Sequence, residues 1–205
     1  MLLPKLRLII LFFYIGIGLQ NTNAQNIDSL LTIWNQANIN ASTKLAAIQV
    51  VLSTKAYYTS NLDAAEVLAL AQYELAKQNS PNDLIDALIN RMNIAYQKGQ
   101  FLNIIDLANE CFTIESSYFT PQTKAKALHL KAMGLEKSGR PEEAIKEYEK
   151  ITTFDSLPND ILEIIYNGLG LCYYTLGSHS EAINAFQKYP WLRWMSGIPK
   201  KRTRQ

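Results

Sequence analysis

The chain has 205 residues, 48% of them hydrophobic, with only 9 Gly and 7 Pro. That composition argues against a disordered chain and supplies enough apolar side chains for one sizeable core. The formal net charge of +2 is unevenly placed: Lys5 and Arg7 open the chain, five basic residues and no acid fall in 190–205, and the body between holds 13 basic against 18 acidic residues. A body with an acidic excess has no basic face to displace phosphate counterions, so nucleic acid is excluded as a partner.

Residues 1–24 read as a signal peptide. Lys5 and Arg7 form a basic start, Leu8 to Leu19 an apolar run, and Thr22-Asn23-Ala24 a small-residue cut site ahead of Gln25. The run is about a dozen residues, short of the roughly 20 that cross a bilayer. An uncleaved signal anchor is the alternative, and on either reading the body is expected to be periplasmic or otherwise exported from a bacterial cell. Membrane contact is expected only through an uncleaved signal or the basic tail.

Residues 25–43 are expected to form an N-terminal capping helix and connector. Asp28 or Ser29 offers an N-cap ahead of Leu30, Leu31, Ile33 and Trp34, and Asn35 to Thr43 is polar. Asn40-Ala41-Ser42 has the form of a glycosylation sequon, read as a chance match beside a bacterial signal.

From residue 44 to 189 a helical period repeats about four times. Hairpin one is predicted as a first helix from Leu45 to Tyr58, a turn at Thr59-Ser60-Asn61 and a second helix from Asp63 to Lys77. Hairpin two runs from Asp83 to Gln97, turns at Gly99 and continues from Phe101 to Ile114, with Asn82 or Asp83 as its opening cap. Hairpin three runs from Gln122 to Lys137, turns at Gly139 and continues from Pro141 to Ile151. There Pro141 suits the first helical position, and Glu142 and Glu143 place negative charge at the positive helix end. The small-residue positions 65, 104, 144 and 182 set the repeat. The segments 78–82 and 154–159 are expected to absorb the length between hairpins.

Hairpin four carries the clearest pattern, with Tyr166, Leu169, Gly170 and Tyr173 at three- and four-residue steps on one helical stripe. Gly170 is expected to admit a neighbouring backbone. Gly177 supplies a left-handed residue for the turn, and Ser178 with Glu181 has capping-box spacing before Ala182 and Phe186. This ladder resembles the tetratricopeptide repeat (TPR), in which W-x2-L-G-x2-Y is followed by A-x3-F, with Tyr166 in the tryptophan position. The match weakens upstream, where Ser53 and Met92 take the glycine position and Ile104 the alanine position.

The resemblance implies an all-α fold, a TPR-like right-handed α-solenoid of helical hairpins. It further implies that a protein or peptide partner binds on a concave face lined by first-helix positions beside the core stripe. In this chain the matching residues are Tyr57; Asn93 and Tyr96; Lys126, His129 and Met133; and Asn167, Leu171 and Tyr174. Residues 27–77 look like the opening of bacterial sensors in which a periplasmic TPR array precedes a histidine kinase or nucleotide cyclase. The resemblance therefore implies the sensory or docking part of a signal-transduction protein, with a free-standing periplasmic adaptor or assembly scaffold as the alternative.

No residue pattern points to catalysis, a cofactor or a metal. The two histidines, His129 and His179, cannot supply a multi-histidine site, and Gly168-Leu169-Gly170 lies inside a helical pattern rather than after a strand. Cys111 and Cys172 lack metal-ligand spacing and fall on apolar stripes, so they are expected to be buried thiols, with a disulfide as the alternative.

The repeat pattern is expected to stop at Pro190. The tail 190–205 contains Trp191, Trp194 and a basic end, and is read as irregular. It is an inert extension, the mark of a truncated or frame-shifted product, or a partner-binding tail, and the last hairpin is finished either by this tail or by a further repeat.

Overall fold

Three helix starts in this chain are written where a short polar side chain precedes a helix-compatible run. In the computed structural model, which describes residues 26–115 and 117–188, Asn40 Oδ1 accepts from the Thr43 amide at 2.9 Å. Ser80 and Thr120 do the same for Asp83 and Thr123, at 3.4 and 3.3 Å. In the last two cases a proline follows the cap, where its missing N–H removes a donor that would have no partner. The signal peptide expected over 1–24 and the tail 190–205 lie outside the described residues.

The helices that result are α1 (26–35), α2 (Ala41–Ser53), α3 (Lys55–Ser60), α4 (Leu62–Asn79), α5 (Pro81–Gln97), α6 (Phe101–Cys111), α7 (Pro121–Lys137), α8 (Pro141–Thr152), α9 (Asn159–Thr175) and α10 (His179–Gln187). There is no strand among the described residues. The fold class is the expected one, all-α, with helical hairpins in series as in a TPR-like α-solenoid. The chain divides into two compact units after Asn79.

In the N-terminal unit, α2 and α3 both pack on α4. Leu45, Ile48, Val51, Leu52, Ala65, Ala69, Tyr73 and Ala76 are buried, and Gln72 donates Nε2 to Gln49 Oε1 at 2.9 Å. The continuous first helix expected over 45–58 is instead two helices, because Thr54 turns extended (φ −79°, ψ 103°). The Thr54 and Ser53 hydroxyls both donate to the Val50 carbonyl, at 2.8 and 3.1 Å, giving the backbone a local alternative to the helical ladder. The expected linker 78–82 is mostly helix, since α4 runs to Asn79 and α5 opens at Pro81 after the Ser80 cap. Ser80 therefore takes the capping role expected of Asn82 or Asp83.

In the C-terminal unit three hairpins follow one another: α5–α6, α7–α8 and α9–α10. Each turn is closed in the same way. Gly99, Gly139 and Gly177 adopt φ of 70°, 76° and 74°. The residue after each returns its amide to the carbonyl five residues back, Gln100 to Ala95, Arg140 to Leu135 and Ser178 to Tyr173, all at 2.9 Å. Only glycine takes that backbone without strain, so three glycines at one register close three hairpins. The capping box expected of Ser178 does not form, because the Ser178 side chain makes no cap bond.

The core of this unit runs through Ala125, Leu128, Ala132, Leu135, Ala144, Tyr148, Ile151, Ile165, Leu169 and Cys172. Two glycines of α9 mark its closest contacts. A Cβ at Gly168 would lie 2.4 Å from the Tyr148 ring, and one at Gly170 would lie 2.6 Å from the Phe186 ring. The neighbour at Gly170 is thus a side chain from the second helix of its own hairpin, not the backbone expected. Cys111 and Cys172 are free and buried, so no disulfide joins them.

Candidate functional site

The first helices of the C-terminal unit stand side by side, α5 against α7 and α7 against α9. Residues at one register of these helices therefore form rows. On α9 the buried side is fixed by Gly168 against α8 and Gly170 against α10. At 100° per residue, the arc that meets neither helix carries Asp160, Ile164, Asn167, Leu171 and Tyr174, spaced four, three, four and three apart. Ile164, Leu171 and Tyr174 are 49%, 42% and 57% exposed, and three large apolar side chains on one solvent-facing stripe are more than packing requires.

The same registers on α7 hold Lys126, His129 and Met133, and on α5 they hold Asn93 and Tyr96. Lys126 is exposed, whereas Met133, Asn93, Tyr96 and Asn167 are half-buried. Tyr96 lies edge-on to Phe101, ring centroids 6.0 Å apart. Tyr174 stacks at a tilt on His179 at 5.7 Å. Tyr57, the candidate from the N-terminal unit, is half-buried on α3, and burial raises its phenol.

His129 sits differently from its neighbours in the row. Its ring lies 5.8 Å from that of Tyr148, and Nδ1 has no hydrogen-bond partner among the described residues. Burial depresses its imidazole to about 4, so it is neutral at pH 7. It borders the face as an apolar edge more than as a charged contact.

Two residues of the same rows lack a signal in any single hairpin and emerge only when registers are compared: Asp86 on α5 and Ile164 on α9, both equivalent to Lys126. Asp86 accepts from the Tyr118 hydroxyl at 3.2 Å, which ties the loop between α6 and α7 back to α5. Its burial raises the carboxyl, with Tyr118 acting in the opposite sense.

A concavity of about 420 Å³ lies on the other side of α7, lined by Asn109, Phe112, Leu128, Lys131, Glu147, Lys150, Thr153 and Phe154. Glu147 occupies both of its lysines, 3.1 Å from Lys131 Nζ and 2.8 Å from Lys150 Nζ. Burial of Glu147 raises its carboxyl, but the bonds from Lys150 and Lys131 outweigh it and hold the group below the ordinary range. One carboxylate between two ammonium groups leaves the lining with a net charge of +1, and both lysines are already engaged by Glu147. No group of three or more His, Cys, Asp or Glu is placed to hold a metal among the described residues.

Helical hairpins in series that present their first helices side by side define a repeat scaffold for binding another chain. Residues 125–156 and 164–189, most of hairpins three and four, match the sequence model of the family described as Tetratricopeptide repeat. That match supports a TPR protein and a protein–protein interaction module. No curated protein matches the chain.

Proposed function

We propose that this chain is a non-enzymatic docking module that holds a protein or an extended peptide along the rows of α5, α7 and α9. The observation that carries this reading is the α9 stripe, where Ile164, Leu171 and Tyr174 are large, apolar and exposed beside the amide of Asn167. Apolar anchors flanked by a few hydrogen-bonding groups suit side chains of an extended segment. A displayed peptide library selected on the full chain tests it. Leu171→Asp is expected to weaken the selected peptides at least about tenfold, the scale of one lost buried anchor. Unchanged affinity in Leu171→Asp, with loss in a variant of the Lys131–Glu147–Lys150 pocket, would move the site to the other side of α7.

We further propose that the module works outside the inner membrane as the sensory or docking part of a bacterial signal-transduction protein. What supports export is the basic start, apolar run and small-residue site in residues 1–24. No helix among the described residues is long and apolar enough to cross a membrane. Fractionation with N-terminal sequencing checks export: mature protein beginning at Gln25 outside the inner membrane is expected, and cytoplasmic protein retaining Met1 would refute it.

A further inference from the structure

The α9 face has a candidate occupant in the chain itself. Trp191, Leu192, Trp194, Met195 and Ile198 place five large apolar side chains within eight residues, including two of the three tryptophans of the protein. We propose that the segment from Trp191 to Ile198 docks on the exposed stripe of α9 as an internal ligand, which an external peptide must displace. This rests on the reading of the α5, α7 and α9 rows as the docking face, and adds to it a means of regulation.

Position, reach and charge argue for this occupant. The ring of Phe186 lies against Gly170, and α10 runs back along α9 from the turn at Gly177. Lys188 therefore leaves the hairpin about level with Asn167, in the middle of the stripe. The stripe from Ile164 to Tyr174 spans about 15 Å along the helix axis. Ten residues of extended chain reach up to about 35 Å, enough to round a helix about 10 Å across and cover it. The α9–α10 hairpin holds Asp160, Glu163 and Glu181 against Lys188 alone, whereas 190–205 holds five basic residues and no acid. Asp160 stands on the same arc as Ile164 and Leu171, so opposite charge lies at one end of the apolar stripe.

Tryptophan fluorescence of the full chain carrying Trp34→Phe reads only Trp191 and Trp194. The emission is expected at shorter wavelength than that of a synthetic 189–199 peptide, with acrylamide quenching at least about threefold slower, as for rings removed from water. Leu171→Asp or Ile164→Asp is expected to restore peptide-like emission with helical circular dichroism intact. Leu102→Asp, on a still more exposed apolar residue of α6, is expected to leave the emission as it was. Peptide-like emission in the parent would overturn the proposal, as would shielding that survives Leu171→Asp. Shielding that disappears on dilution would also overturn it, assigning the segment to a second copy. A second measurement separates this proposal from the reading beneath it. The 189–199 peptide is added to full chain carrying Trp191→Ala and Trp194→Ala. Binding that Leu171→Asp abolishes, found together with an exposed tail in the parent, would refute the internal ligand and leave α9 standing as a docking face.

Discussion

Hairpins one and four share one spacing but close in different ways. In hairpin four a glycine of the first helix receives an aromatic ring from the second, Gly170 under Phe186, and Gly168 receives Tyr148 from the hairpin before. At the corresponding registers hairpin one has Ser53 and Ala69, with no ring to seat and no glycine beneath it. Its first helix is interrupted at Thr54, and its turn at Thr59-Ser60-Asn61 lacks the left-handed glycine found in hairpins two, three and four. Hairpin two, with Met92 and Ala108 at these registers, keeps an unbroken first helix. The ring-on-glycine contact is therefore not what makes a first helix continuous. It concentrates packing in the last two hairpins, which are also the stretches that match the repeat family.

The strongest way to break this contrast is Tyr148→Ala, which empties a fully buried site where α7, α8 and α9 meet. A loss of about 3–5 kcal/mol is expected in urea denaturation. A smaller change sharpens the argument. Gly168→Ala alone is expected to cost about 2–3 kcal/mol, because the enclosed Tyr148 ring cannot withdraw. In the Tyr148→Ala background the same substitution is expected to be neutral or to gain up to about 1 kcal/mol of helix propensity. A cost that persisted in the double variant would show that the glycine serves something other than the ring.

Acid should act on the C-terminal unit through His129. Its folded pKa is depressed to about 4 from 6.5, so the unfolded chain binds the proton first. Stability from this group is complete above about pH 6.5 and falls as pH drops towards 4, by at most about 3 kcal/mol. Denaturation midpoints followed from pH 7 to 4 should show that slope, and His129→Gln should flatten it. The smallest effect is expected in hairpin one, where the Ser53→Ala and Thr54→Ala pair removes both hydroxyls that compete for Val50 O. Helical content by circular dichroism should rise slightly, with stability changed by about 0.5 kcal/mol.

These contrasts also show which parts of the molecule can be read locally. Gly99, Gly139 and Gly177 mark the three closed turns, and Pro141 marks the start of α8, because each acts through its own backbone. The break at Thr54 was hidden, since Ser53 and Thr54 fit a helical period as well as they fit the local hydrogen bonds that end it. Gly168 was equally opaque, because the ring it accommodates comes from another hairpin. The first-helix rows were legible as a register, which placed Asn93, Tyr96, Met133, Leu171 and Tyr174 together. Their uneven exposure was not, because burial of His129 depends on how α8 brings Tyr148 across α7.

The two free thiols acquire a use from their placement. Cys111 closes α6 in hairpin two and Cys172 lies on α9 in hairpin four, and burial pushes both thiols up to about 12. Neither is a ready nucleophile while its helix is in place. The pair is thus a built-in clock for the C-terminal unit: alkylation of each cysteine, resolved by mass, times the opening of one end separately from the other.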